Sequence, residues 1–174
     1  MSHSRVFCMV LNIKNTEEVE TALSIDTEDV IETIRGCDYA SDRLEEGEKF
    51  VQEDVDWLAD WIGIDGMGEA PLIKPEEIEI DGGRYFYWVV PVDKLKKTIE
   101  KEIKKRIARI KKELEKPAPS LIDVAYEAYL RKGFYFYFPE WGFLNEIDLY
   151  EFVLNIPSYK YEKFYVVKTI DYHF

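Results

Sequence analysis

Glu53, Asp56 and Asp60 recur at steps of three and four residues within EKFVQEDVDWLADWIG, so a helix through this segment carries carboxylates on neighbouring turns. Two such acids in one cleft could exchange protons with a substrate, and several oxygen donors on one face could hold a divalent cation. An acidic helix facing water shows the same spacing, and that plainer role is the expectation. Other chemistry is thinly supplied. The two cysteines, Cys8 and Cys37, lie far apart without a CxxC pattern, which points neither to a disulfide scaffold nor to thioredoxin-type exchange. Cys8 reads as core, and Cys37 has no activating histidine beside it. His3 and His173 stand at opposite ends of the sequence and read as surface residues rather than ligands or bases. The segment DGMGE at 65–69 has turn glycines but lacks the Lys and Ser/Thr of a phosphate loop, and its two acids would repel phosphate. No metal and no cofactor is expected.

Charge carries more information. The 174 residues include 23 Lys plus Arg against 35 Asp plus Glu, a formal charge of −12. Segment 94–116 alone has eleven Lys or Arg and four Glu, a net of +7 that leaves −19 for the rest of the chain. At 100° per residue, Leu95, Ile99, Ile103, Ile107, Ile110 and Leu114 form an apolar stripe, and Lys97, Lys101, Lys104, Lys105 and Arg109 lie on the opposite side. Steps of mostly four residues between the apolar positions argue against a heptad coiled coil. Like charges at i and i+4, such as Lys101 with Lys105, each cost a few tenths of a kcal/mol in an isolated helix. A solvated face, or compensation by the chain's own acids, is the expected resolution. Binding of this ridge to nucleic acid or an anionic membrane is the weaker reading, because the acidic remainder repels the same polyanion.

Between residues 17 and 65 the cations are Arg35, Arg43 and Lys49, against a dense run of acids. Glu45, Glu46, Glu53, Asp56 and Asp60, with Trp57 as an aromatic anchor, are the candidate contact residues for a partner with a basic surface.

These residues must be positioned by an alternation of strands and helices. Residues 4–13 read as a buried strand, and Asn15 and Asp26 as starts of two short helices stopped by Gly36. An acidic loop precedes a helix over 48–62. Residues 75–92 read as two strands around Asp81-Gly82, a pair suited to a tight turn. A long helix over 93–116 ends at Pro117, and a further helix runs from Ser120 to Arg131. A strand over 134–138, a helix over 145–155 and a strand over 159–172 complete the order. The expected fold is one α+β domain over 1–174: an antiparallel or mixed sheet of about five strands packed by four or five helices, one of them long and basic. The stiff Pro-Ala-Pro elbow at 117–119 is the one place where subdomains could divide.

With 47% apolar residues the chain can bury a large core, and it has neither an 18-residue apolar run nor a leader-like segment, so a folded cytoplasmic protein is expected. The leading functional expectation is a non-enzymatic acidic protein that binds and blocks or titrates a basic partner, such as a nucleic-acid-binding protein, in the manner of immunity proteins or nucleic-acid mimics. The analogy rests on size and charge. The alternative is an enzyme or small-ligand binder with Asp or Glu as acid or base, its pocket drawn from Tyr85, Tyr87, Tyr135, Tyr137 and Trp141. Adjacent rings in a strand point to opposite faces, so covered sheet faces are the simpler account of these aromatics.

Overall fold

The computed structural model describes residues 3–63, 74–90, 92–128, 134–155 and 162–173. β1 (His3–Val10) is the hub of a mixed sheet, and the first reason is its composition. Val6, Cys8 and Val10 are buried on one face and Phe7 and Met9 on the other, so the strand needs cover on both sides. β7 (Glu162–His173) runs antiparallel along one flank of β1, and β5 (Tyr135–Phe138) runs parallel along the other.

Beyond β7 lies the hairpin of β3 (Lys74–Ile80) and β4 (Gly83–Val90), and beyond β5 lies β6 (Gly142–Asn145). The spatial order is β3-β4-β7-β1-β5-β6, and β2 (Tyr39–Asp42) pairs with the last residues of β7. Asp81 and Gly82 close the hairpin with φ of 51° and 78°, the positive values that the Asp-Gly pair tolerates. The α+β expectation holds, with two strands more than expected. The segment anticipated as an acidic loop forms β2 and a short turn of helix, and the turn after β5 opens into β6.

Helices cover both faces. α1 (Thr16–Ser24) is capped by Asn15, and α2 (Thr27–Thr33) by an Asp26–Asp29 capping box. Together they set Val19, Ala22 and Val30 against Val6, Cys8, Val167, Ile170 and Tyr172. On the other face α3 (Arg43–Glu46), capped by Asp42, leads into α4 (Glu48–Gly63). Val51, Val55 and Leu58 of α4 pack on Phe7, Met9, Phe86, Trp88 and Phe164, and Trp88 donates its indole N–H to the Val55 carbonyl at 3.3 Å. α5 (Val92–Leu114), about 34 Å long at 1.5 Å per residue, touches this core through Ile103 and contacts α6 (Leu121–Ala128) and α7 (Glu146–Asn155). Among the described residues no helix is long and apolar enough to cross a membrane. The glycine-containing turn segment at 65–69 lies outside the described residues.

One irregularity decides which side chains meet. Cys8 pairs with Lys168 but Met9 pairs with Val166, so Val167 is an extra residue in β7. A one-residue insertion exchanges the faces of everything after it. Phe164 and Val166 face α4, yet beyond the bulge it is Thr169, Asp171 and His173 that lie opposite Phe7, Arg5 and His3 on that same face. Lys168, carried to the other face beside Cys8, is 6% exposed at its side chain and pairs with Asp42 at 2.7 Å.

Burial pushes the Cys8 thiol from 9.0 up to about 12, relieved only in part by the Lys168 ammonium. The unfolded chain loses this proton above pH 9 and the folded chain retains it, so stability falls as pH rises from 9 towards 12. Urea denaturation across that range should show this group removing about 1.4 kcal/mol per pH unit, and a Cys8→Ala variant should lack that increment. Identical pH slopes for the two proteins would refute the assignment.

Candidate functional site

α4 has a buried inner surface and an exposed outer one. Its inner surface includes a charged residue, Asp54, only 4% exposed. The carboxylate accepts from Arg5 Nε at 2.7 Å, from Thr169 Oγ1 at 2.7 Å and from Arg43 Nε at 3.4 Å. Arg5 also donates to Asp171 and, at 3.0 Å, to the Ser4 carbonyl. Arg43 in turn reaches Glu46 at 2.7 Å and lies over the Phe50 ring at 4.4 Å. Burial works against the Arg43 charge, but Asp54 and Glu46 outweigh it and hold the guanidinium above its ordinary value. This network joins β1, β7, α3 and α4 around one buried anion.

The outer surface is where the sequence placed its partner contacts. Glu53, Asp56 and Trp57 follow one another at i, i+3 and i+4 and are exposed, as are Glu45 and Glu46 of α3 just ahead of them. Trp57 is 46% exposed, and its ring meets Phe134 edge-on at 4.8 Å between centroids. One edge of the indole is therefore held by the core and the rest is offered to solvent among carboxylates. Asp60 belongs to α4 by its backbone, and its side chain lies outside the described residues.

The cationic ridge of α5 stands apart. Lys97, Lys101, Lys104 and Arg109 are exposed and Lys105 is half-buried. Compensation by the chain's own acids is local: Arg109 lies 3.4 Å from Glu127 of α6, and Lys116 pairs with Glu113. The hydrogen bond between them holds the Lys116 ammonium above its ordinary range and the Glu113 carboxyl below its own.

The five aromatic residues proposed to share a pocket do not share a face. Tyr85, Tyr87, Tyr135 and Tyr137 lie on the α1/α2 side of the sheet, whereas Trp141 packs on Phe138 and Phe152 of the opposite side. The tyrosines also divide into two pairs. β7 and β1 intervene between β4 and β5, which at the usual strand spacing puts the pairs about 14 Å apart. Tyr87 and Tyr137 are buried; Tyr87 donates its hydroxyl to Glu76 at 2.6 Å, and that bond raises its ionisation above the ordinary phenol range. Desolvation raises that of Tyr137.

The structure brings together residues that sequence spacing kept apart. His3 and His173 are opposite one another in the β1/β7 register, with ring centroids 3.9 Å apart, and Tyr39 of β2 adds a third ring 5.0 Å from His173. A signal for the neighbouring network exists in the sequence: Arg5 and Asp171 are charges among largely apolar strand residues. Comparison with protein families, with curated proteins and with solved structures finds no match for the chain.

Removing the buried anion should be the costliest single change in this region. Asp54→Ala leaves Thr169 Oγ1 and the Nε atoms of Arg5 and Arg43 without their shared acceptor, although Arg5 keeps Asp171 and Arg43 keeps Glu46, and urea denaturation should show a loss of about 2–3 kcal/mol. Glu53→Ala, one position away on the exposed side, should stay within about 0.5 kcal/mol of the parent. Equal, small effects for both would show that the network does not hold α4.

Proposed function

We propose that the protein acts by binding a partner with a basic surface through the outer face of α3 and α4, blocking or titrating that partner. The observation that carries this reading is Trp57: a large ring, fixed at one edge by Phe134 and 46% exposed, beside Glu53 and Asp56 on an α4 surface that follows the exposed acids Glu45 and Glu46 of α3. A rigid aromatic anchor supplies contact area at low entropic cost, and flanking charge steers association. Because Asp54 and the Val51, Val55 and Leu58 side chains hold the inner face of α4, this outer face is preorganised. The acids belong to a chain with a net charge of −12, which favours encounters with cationic surfaces and opposes those with free nucleic acid.

The test has two stages. Immobilised protein is exposed to extract of its source cells at low and at moderate salt, and the stoichiometrically retained protein is purified for kinetics. Glu53→Lys with Asp56→Lys should slow association by about tenfold or more at low salt and flatten its salt dependence, and Trp57→Ala should chiefly accelerate dissociation. Unchanged kinetics in both variants would overturn the assignment of this face.

A further inference from the structure

His3, Asp171 and His173 lie on one face at the end of the sheet where β1, β7 and β2 meet. One ring nitrogen from each histidine and one carboxylate oxygen all fall within 4.8 Å of one another. His3 Nδ1 is 3.1 Å from Asp171 Oδ2, close to the roughly 3.3 Å that separates neighbouring ligands around a tetrahedral ion with bonds of about 2.0–2.1 Å. His173 brings a ring nitrogen within 4.8 Å of both other ligand atoms from a backbone position directly opposite His3.

We propose that these three side chains bind a divalent first-row transition metal, with zinc as the reference ion. Two imidazoles and one carboxylate suit such metals and leave coordination positions free, unlike the all-oxygen sets preferred by calcium and magnesium. The surroundings supply what a metal site needs beyond its ligands. Asp171 is held through its other oxygen by Arg5, and Arg5 is neutralised by Asp54, so the carboxylate is oriented without a net positive charge left to repel the ion. His173 lies on a strand paired on both sides, with β1 and β2, which fixes the ligand backbones. The His3 side chain is 56% exposed, which gives an ion access and directs the free positions towards water. A metal between His3 Nδ1 and Asp171 Oδ2 requires the His3 tautomer that carries its ring proton on Nε2.

The site is independent of the partner-binding face and is tested separately. Metal-free protein is titrated with Zn²⁺ by calorimetry, and with Co²⁺ while its visible absorption is followed. The expected result is one ion per chain, with affinity reduced about tenfold or more in His3→Ala and in His173→Ala, and a Co²⁺ spectrum that both substitutions abolish. His3→Gln and His173→Gln, closer in size, should behave alike, and circular dichroism verifies that each variant is folded. Glu53→Lys with Asp56→Lys should leave the titration unchanged, which separates this site from the acidic face. Absence of Zn²⁺ binding by the parent, or equal affinity in the parent and both histidine variants, would overturn the proposal.

Discussion

The carboxylate of Asp54 is the constraint on which the arrangement turns. Burying an anion is costly unless its oxygens are satisfied and a cation lies against it, and here Arg5, Arg43 and Thr169 do both. These donors come from β1, α3 and β7, so the anion is satisfied only when α4 sits at one height and one rotation over the sheet. The hydrophobic contacts of Val51, Val55 and Leu58 are less directional and would tolerate more sliding. Once the inner face is fixed, helical geometry leaves Glu53, Asp56 and Trp57 pointing outward. The bulge at Val167 is the second requirement, since without it Thr169 and Asp171 would fall on the other side of the sheet from Asp54.

Charge is separated by element. The exposed acids of α3 and α4 lie on the same two helices as a partly exposed tryptophan, whereas the lysines and arginines of α5 lie on a helix that contacts α6 and α7. Pairings such as Arg109 with Glu127 soften the ridge, and several lysines along it remain exposed. Acidic and basic residues are thus concentrated on different elements, an asymmetry that bears on how a charged surface approaches.

Periodicity exposed much of this in the sequence. The α5 helix, the inward set of α4, the caps of α1 and α2 and the Asp-Gly hairpin follow from local spacing, and local spacing is what a single sequence displays; of the expected α5 stripe, Ile103 packs on the core whereas Ile107 and Leu114 are exposed. β2 and β6 were not legible because each has four residues and neither has a run of apolar positions long enough to show a period. The pairings within the polar network were illegible for another reason, although the charges themselves stand out in their strands. Arg5 and Asp171 are 166 positions apart, and their meeting depends on strand order and on a one-residue shift in register. The tyrosines show the converse. Alternation placed Tyr85 with Tyr87 and Tyr135 with Tyr137, but only the order β4-β7-β1-β5 reveals that the pairs are far apart. His3 and His173 looked separate as the two ends of a chain, and antiparallel pairing made them neighbours.

The central claim is that the outer face of α3 and α4 is the contact surface, held ready by the anion beneath it. Amide hydrogen exchange, measured on the protein alone and bound to the basic partner it captures, tests this most directly. The account predicts new protection concentrated over residues 43–57, with α5 exchanging at the same rates in both states. Protection over the α5 ridge, with residues 43–57 unchanged, would contradict it.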